Sequence, residues 1–111
     1  MGLWLGLKDP TATYNTEELF STNITHNLTD MAEAAGIYYA LWRPEEKGYK
    51  MAEDIIPLLE DGLKKLLENP EHYKQYDSPN GWGIYDHFVP FVKEVLEACK
   101  EYPKALLHVS R

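Results

Sequence analysis

Asn23-Ile24-Thr25-His26-Asn27-Leu28 marks the point at which the periodicity of the chain changes, and that change decides the fold. Over residues 18–25, Phe20, Thr22 and Ile24 alternate with Leu19, Ser21 and Asn23, the two-residue period of a strand with one buried face. From Leu28 onward, Met31, Ala35, Tyr38, Tyr39 and Trp42 recur at steps of three and four, which predicts a helix over 28–41. Asn27 or Thr29 would cap it, with Asp30 or Glu33 in its first turn.

Upstream, Leu3, Leu5 and Leu7 alternate with Trp4, Gly6 and Lys8. This predicts a strand that forms a hairpin with 18–25, residues 10–16 being its exposed polar tip. Downstream, Pro44 ends the first helix, because the residue before a proline avoids helical geometry. Pro44-Glu45-Glu46 reads as a new helical start or, with Gly48 so close, a turn. Met51, Ile55, Leu58, Leu59, Gly62, Leu63, Leu66 and Leu67 form one apolar stripe, an amphipathic helix over 51–67. Pro57 requires that helix either to start near Asp54 or to kink. A short helix over 70–76 and the turn-rich segment Asp77-Ser78-Pro79-Asn80-Gly81-Trp82-Gly83 follow. A last helix spans 85–102, with Asp86 expected as its N-cap so that Pro90 is accommodated, and Pro103 stops it. Residues 105–111 read as a closing strand with Leu107 and Val109 on one face. The order β-β-α-α-α-β specifies an α+β fold in which helices cover one face of a small antiparallel or mixed sheet.

At 111 residues the chain is the size of one domain, residues 1–111. Its net charge of -7 disfavours a surface that displaces counterions from a phosphate backbone, so no nucleic-acid partner is expected. The acids fall in short pairs interrupted by lysines, the pattern of solvated helix faces. No run approaches the roughly 20 apolar residues of a membrane span, and no membrane partner is expected. The single cysteine, Cys99, lies on an apolar stripe and suits a reducing, cytoplasmic setting. A homodimer through exposed aromatic residues or a free sheet edge is compatible with the pattern.

Four separated motifs, Asn23-Ile24-Thr25-His26-Asn27-Leu28, Leu41-Trp42-Arg43-Pro44-Glu45-Glu46, Asn80-Gly81-Trp82-Gly83 and the ending Val109-Ser110-Arg111, carry a resemblance. Together the chain resembles a family of short, functionally unassigned proteins carried by bacteria and their phages. The resemblance implies a compact, portable cytoplasmic domain and is compatible with an anti-defence role; it implies no activity and no cofactor.

Three groups of residues are candidates for a ligand-binding site. His26, at a strand-to-helix junction with Asn23, Thr25 and Asn27, can donate to an anion or act as acid or base; alternatively its ring pins the turn to the backbone. Arg43 beside Trp42, and Arg111 at the end of the last strand, can grip an anion in a bidentate fashion, or form surface ion pairs with nearby acids. Asn80 and Trp82, in a loop loosened by two glycines, offer a stacking surface, or else Trp82 plugs one end of the core. Phosphate-loop, nucleophile-elbow, H-E-x-x-H and C-x-x-C patterns are absent, so no catalytic residue, metal ligand or cofactor is assigned, and enzyme is the less favoured class. The expectation is a non-enzymatic protein that binds a small anionic, nucleotide-like molecule. Its rivals are an acidic inhibitor of a host protein and a small hydrolase or transferase using His26.

Overall fold

The computed structural model describes residues 2–9 and 18–111; the expected hairpin tip at 10–16 lies outside the described residues. Strand β1 (Gly2–Lys8) pairs antiparallel with β2 (Glu18–Thr25) on one side and with β3 (Leu106–Ser110) on the other, giving the sheet order β2-β1-β3. Leu3, Leu5 and Leu7 are fully buried, opposite Ile24, Thr22 and Phe20 on β2, while Leu5 and Leu7 also face Val109 and Leu107 on β3. Each such leucine contributes about 1.5–3 kcal/mol by leaving water. Because side chains alternate across a strand, Trp4, Gly6 and Lys8 occupy the other face with Asn23, Ser21, His108 and Ser110. The sheet is therefore wholly antiparallel, and the helices pack on the leucine face.

The periodic run 28–41 is interrupted. A 3-10 turn (His26–Leu28) leads into α1 (Thr29–Ala34), and a second short helix, α2 (Tyr38–Trp42), follows. Gly36, at φ +80°, ends α1: its N–H donates to Glu33 and that of Ile37 to Ala32, a Schellman motif that satisfies two free carbonyls. Ile37 then settles into a notch left by Gly62 on the next long helix, where a β-carbon would collide with the Ile37 side chain. A single-turn 3-10 helix, Pro44–Lys47, answers the Pro44-Glu45-Glu46 signal.

Helix α3 (Ala52–Glu68) starts before Asp54 rather than at it, and runs on through Pro57. The Asp54 carboxylate accepts the N–H groups of Lys50 (2.9 Å) and Met51 (3.0 Å), which holds its pKa below the usual carboxylate value. The start of α3 also hangs from the approach to β3, Ala52 N–H donating to Ala105 and Glu53 N–H to Pro103. After the short α4 (Pro70–Lys74) comes α5 (Tyr85–Glu101), whose flanking N-cap is Ile84 and not Asp86. Asp77, eight residues upstream, supplies the missing acceptor to the Tyr85 N–H at 2.7 Å. Helices α3 and α5 close over the sheet, with Ile55, Leu59 and Leu66 meeting Phe88, Val92 and Val95 in one core. No described helix is long and apolar enough to cross a membrane.

Candidate functional site

The junction at Asn23–Leu28 sits at one end of the sheet, beside the start of β1. The segment 77–83 folds back onto it. Ser78 accepts the Gly81 N–H in a four-residue turn around Pro79 and Asn80, and its own N–H donates to Gly83. The Asn80 carboxamide oxygen accepts both the Ser78 hydroxyl (2.6 Å) and the Trp82 N–H (3.0 Å). From across the fold, the Asn27 carboxamide donates to the Trp82 carbonyl at 2.8 Å. Both main-chain groups of Trp82 are thereby held by asparagine side chains, although its indole is 72% exposed. Gly83, at φ +105°, makes the approach possible, since a β-carbon there would lie 2.9 Å from Asn27 Cβ and 3.0 Å from Thr25 Cγ2.

Between this loop and the sheet lies an open cleft of about 720 Å³, within the size range of small-molecule sites. Asn23, Thr25, His26, Asn27, Asn80 and Trp82 all line it, so six of the nine candidate residues meet there from two separate stretches. Gly2, Leu3, Trp4 and Ile24 complete the described lining. Trp4 was not among the candidates, yet the sequence carried its signal: an indole on the polar face of an alternating strand. The His108 ring stands edge-on to it at 6.1 Å. A smaller hollow of about 440 Å³, with Asp30 and Asp77 in its wall, lies on the far side of the His26–Asn27 ridge.

Trp42, Arg43 and Arg111 do not line the cleft. Trp42, 2% exposed, stands behind it and donates its indole N–H to His26 Nδ1 at 2.9 Å. That bond needs a lone pair on Nδ1, so the neutral ring carries its proton on Nε2. Tyr38 stacks on Trp42 and accepts from Arg43 Nε; Arg43 in turn pairs with Glu46 at 2.8 Å. These bonds, to Tyr38 first and Glu46 second, raise the Arg43 pKa further above its ordinary value. Arg111 donates to the Trp42 carbonyl (2.7 Å) and to both Glu45 carboxylate oxygens (3.0 Å). Both arginines thus act as surface clasps around Trp42, and His26 holds a buried donor as well as facing the cleft.

Among the described residues lining the cleft there is no aspartate, glutamate, lysine, arginine or cysteine. What they offer is carboxamides, a hydroxyl, an imidazole and two indoles: hydrogen bonding and stacking. No group of three or more His, Cys, Asp or Glu able to hold a metal ion occurs among the described residues. Cys99 is buried far from this chemistry's needs, its thiol pushed up to about 12 by desolvation. Comparison with known protein families, curated proteins and solved structures finds no match to the chain.

Proposed function

We propose that this protein is a small, non-enzymatic binding protein that holds a nucleotide-like molecule in the cleft at the strand-to-helix junction. The observation that carries the reading is Trp82. A chain that fixes both main-chain groups of a residue with two distant asparagines, while leaving its indole exposed beside a cleft, has built a stacking platform rather than a core plug. The cleft's polar groups suit binding more than turnover: Thr25 Oγ1 accepts the Asn27 N–H, His26 Nδ1 is occupied by Trp42, and no described carboxylate stands in the lining. The acidic faces support docking to a host protein less well, because Glu45, Glu46, Glu53, Glu60 and Asp61 are each paired with a basic side chain. Together with the resemblance to phage-carried proteins, the use we infer is sequestration of a nucleotide immune signal in the cytoplasm, an anti-defence role.

Native mass spectrometry and calorimetry against cyclic and ADP-ribose-type nucleotides test this. A retained, unmodified ligand is expected, with binding lost in Trp82→Ala while the melt stays cooperative. Absence of binding across the panel refutes the reading.

A further inference from the structure

The cleft has walls rich in hydrogen-bonding groups and poor in charge. Both arginines of the chain are committed elsewhere, to Glu45 and Glu46, and no lysine reaches the described lining. The overall charge of -7 also repels an anion at long range. Among the described residues of the lining a phosphate would meet no lysine or arginine, and His26 Nδ1 is already taken up by Trp42.

The carboxamides tell the opposite story. The Asn23 side chain makes no hydrogen bond to another described residue, so its carboxamide keeps both donor and acceptor. Asn27 spends one of its two N–H donors on the Trp82 carbonyl and retains the other and its oxygen; Asn80 spends its oxygen on Ser78 and Trp82 and retains its NH2. The cleft therefore offers the unengaged carboxamide of Asn23, the oxygen and second N–H of Asn27 and the NH2 of Asn80, beside an exposed indole. A carboxamide matches the paired donor and acceptor on the edge of a nucleobase, and an indole matches its plane.

We propose that the cleft selects its ligand through an uncharged heteroaromatic ring, a nucleobase, and that phosphate contributes little to affinity. This rests on the binding function proposed above and specifies what is read at that site.

The test is calorimetry with the four common nucleosides, their 5′-monophosphates and the same bases in cyclic dinucleotides, at about 50 mM and about 500 mM salt. Each nucleoside is expected to bind within about threefold of its monophosphate, one base being preferred by about tenfold, with affinity changing less than about twofold across the salt range. Asn23→Ala should reduce the preference between bases, and its melting temperature should match that of the parent chain because the side chain supports nothing else. Monophosphates binding more than about tenfold tighter than nucleosides, with affinity falling as salt rises, would overturn the proposal while leaving a binding protein. Failure of every compound, charged and uncharged, would overturn the binding function along with it.

Discussion

Replacing each of the two glycines that flank Trp82 by alanine separates two costs that the loop combines. At Gly81, φ is +78° and no atom lies within 4 Å of where a β-carbon would stand. Gly81→Ala therefore incurs only the left-handed backbone penalty of about 1–2 kcal/mol, offset by about 0.4–1 kcal/mol of lost freedom in the unfolded chain, a net of about 1 kcal/mol. At Gly83, φ is +105°, and the added carbon would press on Asn27 Cβ, Thr25 Cγ2 and Leu28 Cγ at 2.9, 3.0 and 3.3 Å. Two of these atoms sit close to the backbone and yield little. Overpacking of about 1–3 kcal/mol adds to about 1–3 kcal/mol of backbone strain, so about 3 kcal/mol is expected. For a chain of this length, about 4 °C per kcal/mol turns the two values into drops of about 4 °C and about 12 °C. Urea unfolding followed by tryptophan fluorescence gives the same comparison at constant temperature. Shifts that agree within about 0.5 kcal/mol would refute the claim that the close approach of Gly83 to the junction is what seats the loop.

Three further outcomes follow from single contacts. His26→Ala leaves the buried Trp42 N–H without its acceptor and should destabilise by about 1–3 kcal/mol, whereas His26→Gln, which can accept in its place, should recover part of the loss; a His26→Ala chain as stable as the parent would remove the ring's structural role. Asp54→Ala should cost about 0.5–1 kcal/mol in a pH-dependent manner. Because the folded-state pKa of Asp54 lies below the ordinary 3.8, its contribution is complete above that value and lost as pH falls through the lowered one; a stability gap between variant and parent that widened toward acid would contradict the sign. Cys99, buried and with its pKa pushed up to about 12, should resist a thiol reagent near pH 8 until denaturant is added, and prompt labelling of the folded chain would show that α5 opens there.

The strands were legible because a two-residue period is unambiguous when leucines stand against polar residues: Leu3, Leu5 and Leu7, then Phe20, Thr22 and Ile24, then Leu107 and Val109 all face as read. The break in the first helix was hidden by the same kind of argument. Leu28, Met31, Ala35, Tyr38 and Trp42 keep a helical spacing through Gly36, so periodicity runs across a turn that only Ala35-Gly36-Ile37 betrays. The N-terminus of α5 was misread because its acceptor, Asp77, lies in the preceding loop, where local capping rules do not look. Within the site, Asn23, Thr25, His26 and Asn27 were adjacent in sequence and Asn80 and Trp82 carried loop chemistry, so both stretches could be nominated; their meeting depends on long-range bonds such as Asn27 to Trp82. Arg43 and Arg111 were open to two readings, anion ligand or surface ion pair; they form ion pairs, and the glutamates that occupy them are local for Arg43 but 66 positions away for Arg111.

The way Trp82 is mounted separates what the residue does from how it is held. Its backbone is fastened by Asn27 and Asn80, while its side chain makes no hydrogen bond or ring contact among the described residues and the residue stays 72% exposed. Position 82 is thus an interchangeable socket: tyrosine, histidine or arginine installed there inherits the same placement at little cost to folding. Selection acting on that one codon can change the chemistry presented beside the cleft without rebuilding the scaffold.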